Sequence, residues 1–465
     1  MTIRDIQNTI SGGSTVRSVI ESAIERAKQD THNALISVVE DRALQRADEI
    51  DASIASGDKL GRLAGVPFVA KDNILTFGSP TTAASSLLET FEAPYQATVI
   101  EKLEHEGAIC IGKANLDAFA HGGSTENSYF GPTTNAVDET KVAGGSSGGS
   151  AVVVATDIVP FSLGTDTGGS IRQPASFNGV VGLKPTYGTV SRYGAVSMAS
   201  STDVIGPIAT TVEDISLVYE IISGVDERDG TTIAVDEKNT VRDVMKMTIG
   251  FINELQSDGV DPEVQLKMDR AKEICRRNGH EIVMVDMPML THALAVYYIV
   301  VPAELSSNLA RYDGIKYGTQ IKSDNLVETY KNSRSAGFMD ENKRRILIGN
   351  YVLSSGYFDA YYKKAQTVRT MLIAEYAKAF ESCDVLLGPV TPTPAFSIGE
   401  KTADPLSMYL ADTMTVGESL AGLSSLSVPA GVTASGLPIG LQISAPMKRD
   451  FDTLAFAKQW EIYND

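Results

Sequence analysis

Cysteine and histidine are scarce in this chain of 465 residues, which has three cysteines and five histidines. The cysteines lie far apart, at Cys110, Cys275 and Cys383, and form neither a CxxC pair nor a zinc-binding pattern. An odd number of cysteines is also a poor disulfide framework. The sequence therefore predicts free thiols, no metal site and a cytoplasmic protein.

Positive charge is also in short supply. The chain has 40 lysines and arginines against 58 aspartates and glutamates, which gives a formal net charge of −18. Proteins bind nucleic acid mainly through lysine and arginine contacts to phosphates. This balance argues against a chain whose main surface binds nucleic acid.

Long apolar runs are missing too. The sequence contains no run of 18 or more apolar residues, and its start, Met1–Ile6, lacks the basic-then-apolar pattern of a secretory signal. We therefore expect no membrane segment. Hydrophobic residues nevertheless make up 43% of the chain, which is enough for a large core.

Glycine and serine, in contrast, are concentrated in two clusters, Val142–Ser150 and Gly164–Arg172, on either side of an apolar segment. Ser146 and Ser170 lie 24 residues apart in these clusters. Because glycine loses much backbone entropy on folding, such runs need a reason, for example a backbone that approaches a ligand closely. A flexible linker is the alternative, but a linker needs no apolar segment between its two halves.

The second cluster has the composition of an oxyanion hole. The N–H groups of Thr167, Gly168, Gly169 and Ser170 can point at an oxygen on which negative charge develops. Ser170 would then be a nucleophile beside its own hydrogen-bond donors.

A nucleophilic serine needs a base, and none of the five histidines stands in a recognisable triad context. Lys71 is the other candidate, because the apolar run before it delivers this lysine to a turn where it can be buried. Burial disfavours the ammonium form and lowers the pKa of a lysine. A useful base needs a shift of roughly three units, from about 10.4 toward 7–8. A surface lysine after a strand is the open alternative.

Two further patterns imitate known motifs. Gly107–Ala114 differs from a phosphate-binding loop motif at one residue, because Ala114 stands where the Ser/Thr that binds magnesium is required. Gly144–Gly149 matches the nucleophile elbow of α/β-hydrolases, but residues 136–143 before it resemble a loop and not the required strand. We therefore predict neither an ATP site nor an elbow.

Strand and helix patterns alternate along the chain, which is typical of an α/β core. The predicted helices are Thr15–Gln29 with Ser14 as cap, Ala43–Ala55, Gly148–Ala155, Pro262–Arg277, and two long ones from about Glu304 and about Asp359. The predicted strands are Phe68–Ala70, Ala108–Ile111, Val159–Leu163, Thr248–Phe251, Glu281–Val285, Asp384–Leu387, Leu426–Val428 and Ile439–Ile443. After Val204 the chain is expected to leave the core.

Taken together, Lys71, Ser146, Ser170 and the two glycine–serine clusters resemble the amidase signature family. The resemblance runs from about Leu60 to about Gln442. It implies a large mixed β-sheet surrounded by helices, and one amidase domain over residues 1–465 whose first 60 residues form helices packed on the core. Length alone would suggest about three domains.

The resemblance also implies a Ser-cisSer-Lys triad. Ser170 would attack an amide carbonyl to give an acyl-enzyme, and Ser146, which follows a cis peptide bond in the family, would carry the proton between Ser170 and Lys71. The N–H groups from Thr167 to Ser170 would hold the oxyanion. Arg172 would be a structural brace under the loop.

Five further segments resemble one branch of the family, the glutaminase subunits of tRNA-dependent amidotransferases: Arg311–Tyr317, Lys343–Ile346, Ser354–Lys364, Thr391–Phe396 and Asp404–Tyr409. This resemblance implies that the substrate is glutamine. A free-standing amidase acting on a small amide is the alternative, and the pair Arg345 and Asp412 is the feature that discriminates the two.

The same branch implies a set of glutamine-binding residues. Arg345 falls at the position that binds the α-carboxylate and Asp412 at the position that binds the α-ammonium group, while Tyr297 or Tyr298 falls near the side-chain position. One loop departs from the family, because His121-Gly-Gly-Ser124 stands where Met-Gly-Ser-Ser is usual. We interpret His121 as a loop histidine and not as a base.

The branch further implies a heterotrimer. Ammonia would pass to a partner subunit that binds the tRNA and uses ATP and magnesium, and a small linking subunit would complete the complex. This chain itself would hold no cofactor. The acceptor would be Glu-tRNA(Gln), Asp-tRNA(Asn) or both.

The net charge of −18 generates a first prediction. We expect the isolated chain to bind tRNA no more tightly than about 10⁻⁶ M at about 0.15 M salt, because a polyanion is repelled and phosphate contacts dominate affinity. Gel-shift titration of the purified chain with tRNA measures this. Tighter binding without a partner would contradict the prediction and would place the main tRNA surface on this chain.

Overall fold

The computed structural model describes residues 1–235, 246–256 and 259–464. Eleven strands in this part of the chain form one sheet, in the spatial order β1-β3-β2-β4-β6-β5-β10-β11-β9-β7-β8. The strands are β1 (Leu35–Val38), β2 (Pro67–Lys71), β3 (Ile109–Ala114), β4 (Phe161–Asp166), β5 (Val181–Lys184), β6 (Val204–Ala209), β7 (Thr248–Ile252), β8 (Glu281–Val285), β9 (Val385–Pro389), β10 (Ser424–Val432) and β11 (Pro438–Ala445).

The sheet is mixed. Strand β2 runs parallel to β3 and β4, and β7 runs parallel to β8 and β9. The strands between these two groups are antiparallel, with β5, β6, β10 and β11 joining them. The predicted large mixed sheet is confirmed.

Helices surround this sheet. They are α1 (Ile3–Ser11), α2 (Val16–Lys28), α3 (Glu40–Ser56), α4 (Thr98–His105), α5 (Gly148–Ala155), α6 (Arg172–Asn178), α7 (Val212–Ile222), α8 (Pro262–Arg277), α9 (Ala293–Asn308), α10 (Leu326–Gly337), α11 (Asp340–Leu353), α12 (Lys364–Ala379), α13 (Pro405–Tyr409), α14 (Val416–Ala421) and α15 (Asp450–Asn464). Both faces of the sheet are buried: Phe68 and Ala70 belong to one hydrophobic cluster, and Val69 between them belongs to another.

Several predicted elements match the structure. The β-α-β unit made of β7, α8 and β8 is present with its strands parallel, and α5 covers the predicted residues 148–155. Two details of the N-terminal helices differ. Thr15, not Ser14, caps α2 by accepting a hydrogen bond from the N–H of Ser18. Helix α3 begins at Glu40, three residues before the predicted start, and ends at Ser56.

The expectation that the chain leaves the core after Val204 is wrong. Strand β6 starts at that residue and lies between β4 and β5, near the middle of the sheet. Gly206 and Pro207 within it suggest a turn, but the glycine has a packing reason. A Cβ atom on Gly206 would lie 2.0 Å from the carbonyl oxygen of Leu183 on the neighbouring strand.

The helix predicted from about Glu304 is also misplaced, because Glu304 lies near the end of α9. Pro302 inside α9 imitates a helix boundary. The segment Pro288–Arg311 is long and apolar enough to cross a membrane by length and composition, although polar residues interrupt it. In this structure 56% of its most apolar stretch is buried inside the protein, so it serves as a core helix.

The cap of α2 can be tested with a matched pair of substitutions. We expect Thr15→Ala to lower the free energy of unfolding by about 0.5–2 kcal/mol, because the N–H of Ser18 loses its acceptor. Ser14→Ala is the control and should change it by less than about 0.5 kcal/mol. Urea denaturation measures both, and equal effects would show that Ser14 shares the capping role.

Candidate active site

Lys71 ends strand β2 with its amine in a ring of hydroxyl groups. Its Nζ lies 2.8 Å from Ser146 Oγ, 2.8 Å from Ser147 Oγ and 2.9 Å from Thr165 Oγ1. The side chain is fully buried. The predicted contact between Lys71 and Ser146 is therefore present, and two further hydroxyls join it.

Burial lowers the pKa of Lys71 from 10.5 to about 7. The negative charges of Asp117, Asp166 and Asp203 oppose this shift, but desolvation is the largest effect. An appreciable fraction of the amine is therefore neutral near pH 7 and can accept a proton.

Ser146 lies in a loop that contacts hold from several directions. The Gly145–Ser146 peptide bond is cis, as the family resemblance implied. The N–H of Gly145 donates to Gln173 Oε1 at 2.8 Å. Only glycine fits at position 145, because a Cβ atom there would lie 2.2 Å from Asp117 Oδ2.

Ser170 lies in the loop between β4 and α6. Its carbonyl oxygen accepts the N–H of Ser147 at 3.1 Å, so the two glycine–serine clusters are joined directly. The Ser170 side chain is partly exposed, and within the described ranges its hydroxyl makes no hydrogen bond. The nucleophile candidate is thus accessible and sits beside the lysine network.

The predicted oxyanion donors are not equivalent. The N–H of Gly169 donates to Asp166 Oδ1 at 2.8 Å, so this donor is already occupied and the prediction for Gly169 needs correction. The N–H groups of Thr167, Gly168 and Ser170 make no hydrogen bond to any described residue. These three donors remain available for an oxyanion.

Arg172 has the contacts of a structural brace. Its guanidinium donates to Asp166 Oδ2 at 3.0 Å, to Gln442 Oε1 at 2.8 Å, to the carbonyl of Thr415 at 3.0 Å and to Ser419 Oγ at 2.9 Å. Burial works to raise the pKa of Asp166, yet that pKa lies below its usual value because Arg172 faces the carboxylate. The pair is charged and fully buried.

A second group of side chains surrounds Arg345, which is buried in helix α11. Its guanidinium carbon lies 5.2 Å from the ring centre of Tyr298 and 5.5 Å from that of Tyr409, and its Nε donates to Glu341 at 2.7 Å. Tyr298 donates its hydroxyl to Asp412 Oδ2 at 2.7 Å. The structure therefore brings together a cation and an anion that are 67 positions apart in the sequence.

Tyr297 and Tyr298 face different parts of the site. A Cβ atom on Gly168 would lie 2.5 Å from the Tyr297 hydroxyl oxygen, so Tyr297 packs against the nucleophile loop. Tyr298 instead stacks on Tyr409, with ring centres 4.0 Å apart. Burial raises the pKa of Asp412 to about 6, against the lowering effects of Tyr298 and Arg345, so its carboxylate is mainly ionised above that pH.

A cavity of about 260 Å³ opens beside this group. Its walls carry charged and polar side chains from three segments, including Asp117, His121, Glu126, Glu341, Arg345 and Lys401. A larger cleft of about 630 Å³ elsewhere is lined by none of the residues Lys71, Ser146 and Ser170. Within the described residues no group of His, Cys, Asp and Glu could hold a metal ion.

Four residues of this site did not emerge from the sequence. Ser147 and Thr165 stand inside the two glycine–serine clusters and Gln173 directly follows the second, so their position was a usable signal. Asp117 carried no signal of its own, because its role depends on contacts made only in the fold.

A family model described as Amidase matches residues 18–454. The chain belongs to the amidase family. The predicted family is thereby confirmed, and this amidase is an enzyme by its family and by its buried lysine–serine network.

Curated relatives of this amidase include A subunits of glutamyl-tRNA(Gln) amidotransferases. The A-type subunit of the glutamyl-tRNA(Gln) amidotransferase of Gloeobacter violaceus is 50% identical over 455 residues, which cover 96% of this chain and 93% of the relative. The second A-type subunit of the glutamyl-tRNA(Gln) amidotransferase of Clostridium acetobutylicum is 49% identical over 457 residues, covering 96% and 95%.

Solved structures agree on the fold. The crystal structure of the A-type glutamyl-tRNA(Gln) amidotransferase subunit from Thermotoga maritima aligns with a TM-score of 0.81 at 37% identity, covering 98% of this chain and 93% of that one. A bacterial aryl acylamidase of the amidase signature family aligns with a TM-score of 0.86 at 25% identity, covering 100% and 98%. The fold is thus shared with amidases named for other substrates.

Proposed function

We propose that this amidase is the glutamine-hydrolysing subunit of a tRNA-dependent amidotransferase. It supplies ammonia with which a partner subunit converts Glu-tRNA(Gln), Asp-tRNA(Asn) or both to the amidated products. The observation that carries the proposal is the oppositely charged pair Arg345 and Asp412, which lies beside the network of Lys71 and its neighbouring serines. Such a pair suits a free amino acid, which carries a carboxylate and an ammonium group. The names of the relatives at about 50% identity support the same assignment.

The chemistry is an acyl transfer to Ser170. Ser170 Oγ attacks the side-chain amide carbon while its proton passes to Ser146, and the proton of Ser146 passes to neutral Lys71. The oxyanion receives hydrogen bonds from the free N–H groups of Thr167, Gly168 and Ser170. The proton then returns through Ser146 to the leaving nitrogen, ammonia departs, and water releases glutamate by the reverse relay.

The hydroxyl ring orients the lysine for this work. Ser147 Oγ donates to the carbonyl of Thr165 at 3.1 Å, and Thr165 Oγ1 accepts from Asn73 Nδ2 at 3.1 Å. Ser147 Oγ and Thr165 Oγ1 are therefore each placed to accept a hydrogen bond from one of the two N–H groups of a neutral Lys71 amine. The lone pair of that amine then points to Ser146, the third hydroxyl of the ring.

The substrate is held by charge at one end and by packing at the other. Arg345 binds the α-carboxylate and Asp412 the α-ammonium group, and the Tyr298 hydroxyl fixes the orientation of Asp412. Tyr297 contributes to the wall next to Gly168, close to the reacting amide. This division of labour assigns the two neighbouring tyrosines to different ends of glutamine.

The complex extends the proposal beyond this chain. The tRNA, ATP and magnesium are used on a larger partner subunit, a small linking subunit completes the heterotrimer, and this chain works in the cytoplasm without a cofactor of its own. The relatives are named as subunits, and this fact and the net charge of −18 support the arrangement. The alternative is a free-standing amidase, which the likeness to an aryl acylamidase supports.

The nucleophile assignment gives the direct test of the function. We expect Ser170→Ala to reduce glutamine hydrolysis by more than about 10³-fold, because removal of the nucleophile costs more than removal of one oxyanion donor. Ser216→Ala is a matched control, since the one hydrogen bond of this hydroxyl in the described structure goes to the carbonyl of Val212 within helix α7. Release of ammonia measures the rate, and a Ser170→Ala rate within about tenfold of wild type would refute the assignment.

The pKa of Lys71 predicts the pH dependence. A protonated amine cannot accept a proton, so we expect kcat/KM to fall about tenfold per pH unit below about 7 and to level off above it. A profile of kcat/KM against pH, together with a stability check at each pH, measures this. A profile that is flat down to about pH 5 would contradict a lysine base.

Arg345 should act on one class of substrate only. We expect Arg345→Ala to raise the KM for glutamine by about ten- to a hundredfold, since a charge-assisted hydrogen bond contributes about 1.5–3 kcal/mol. Hydrolysis of 4-aminobutanamide, which lacks the α-carboxylate, should change little. Lys343→Ala on the same helix is the control, and equal losses on both substrates would show that Arg345 is structural.

A further inference from the structure

His121 follows a short helical turn, Ala118–Ala120, and lies in the wall of the 260 Å³ cavity together with Gly122, Gly123 and Arg345. Its side chain is fully buried. A buried histidine beside an arginine is unusual, because the two would repel each other if both were charged. The neighbours of this imidazole determine its tautomer and its protonation state.

Asn342 fixes which nitrogen of His121 carries the proton. The amide nitrogen of Asn342 donates to the carbonyl of Ala118 at 2.8 Å, and its amide oxygen accepts the N–H of Met339 at 3.1 Å. These two backbone groups allow one orientation of the amide. The same Asn342 nitrogen lies 2.6 Å from His121 Nδ1, which must therefore accept. The proton of a neutral His121 is on Nε2.

The Nε2 atom is a donor without an acceptor. It is buried and has no hydrogen-bond partner in the described part of the chain. Burial and the positive charge of Arg345 lower the pKa of His121 well below its usual value, so the imidazole is neutral at neutral pH. A buried N–H with no partner is costly, and a bound ligand can remove that cost by supplying an acceptor.

Arg345 indicates the kind of acceptor. Only its Nε is engaged, on Glu341, and its terminal nitrogens make no hydrogen bond to any described residue. The Glu341 carboxylate already accepts from Arg344, Arg345 and Tyr409. The residues that line the cavity thus include a guanidinium with a free edge and a neutral imidazole whose Nε2–H has no partner in the described part of the chain, a combination that suits a carboxylate oxygen.

We propose that His121 Nε2–H donates a hydrogen bond to the substrate carboxylate held by Arg345, and that His121 is a specificity-determining residue for carboxylate-bearing amides. The inference rests on the proposed function, since it takes glutamine as the ligand. It adds to the site a contact that carries no charge of its own. A neutral donor fits here because a second cation next to Arg345 would be repelled.

Binding to the full chain carrying Ser170→Ala, which cannot turn over substrate, gives the first test. We expect His121→Phe, which keeps an aromatic ring but lacks both nitrogens, to lower the affinity for L-glutamine by about ten- to a hundredfold in calorimetric titration. The affinity for 4-aminobutanamide should stay unchanged. His121→Gln, which offers an acceptor to Asn342 and a donor to the ligand, should restore most of the affinity.

The outcomes separate this inference from the proposed function. The role of His121 alone would be overturned by any of three results. His121→Phe could lower the affinity for both ligands equally, it could lower neither, or His121→Gln could fail to restore the affinity for L-glutamine. If L-glutamine does not bind even with His121 intact, the proposed function falls, and the inference falls with it.

A second measurement needs no substitution of His121. In ¹⁵N-histidine NMR, which is tractable with five histidines, we expect His121 to be unprotonated at Nδ1 and protonated at Nε2. Its Nε2 resonance should shift on addition of L-glutamine but not of 4-aminobutanamide. Glu126 lies in the same wall, and its Oε2 is a buried acceptor without a partner among the residues that the structure describes. If Glu126→Gln shifts the Nε2 resonance without ligand, Glu126 is its partner and the inference is overturned.

Discussion

The buried ion pair between Asp166 and Arg172 is the interaction on which the active-site loop depends. Asp166 accepts the N–H groups of Gly169 and Ile171 on one side, and Arg172 extends to Gln442 and Ser419 on the other. Such a pair is expensive to desolvate and is maintained only when its remaining hydrogen-bonding groups are satisfied. Here they are satisfied by the nucleophile loop on one side and by strand β11 and helix α14 on the other, so both sides fix the geometry of the loop.

Three buried lysines show how much the surrounding chemistry decides. Lys113 lies 3.3 Å from the carboxylate of Asp72, and Lys184 donates to the carbonyl of Leu423 at 2.6 Å. Lys71 instead has three hydroxyls, and the aspartates that act on it do so from beyond ion-pair distance in the described chain. A hydroxyl group can both donate and accept a hydrogen bond and can therefore pass a proton on, whereas a carbonyl oxygen can only accept. Of the three buried lysines, Lys71 is thus the one whose amine lies among three hydroxyl groups.

The sequence was sufficient for the family, for the mixed sheet that the family resemblance implied, and for the pair Lys71 and Ser146, whose side chains meet in the structure, because the resemblance depends on local motifs of unusual composition. It was insufficient where tertiary contacts override local signals. Gly206 and Pro207 suggest a turn, yet both lie in strand β6, and Gly206 allows a close approach of strands β5 and β6. Pro302 suggests a helix start, yet it lies within α9.

The same limit applies within the site. The oxyanion prediction treated the N–H groups of the loop as equivalent, and only the placement of Asp166 shows that Gly169 is already engaged. The tautomer of His121 likewise depends on Asn342, which is 221 residues away in the sequence. No local pattern can report a contact of that separation.

The brace around Arg172 has a consequence for how the enzyme is made. Its partner Gln442 follows 270 residues later in the chain, and Ser419 follows 247 residues later. A ribosome adding about 5–20 residues per second needs roughly 15–50 seconds to cover the longer interval. Lys71, Ser146 and Ser170 leave the ribosome well before the side chains that hold the nucleophile loop in place. The catalytic apparatus therefore matures only after Gln442 has been added, and a chain released before that point carries its reactive groups without the support that aligns them.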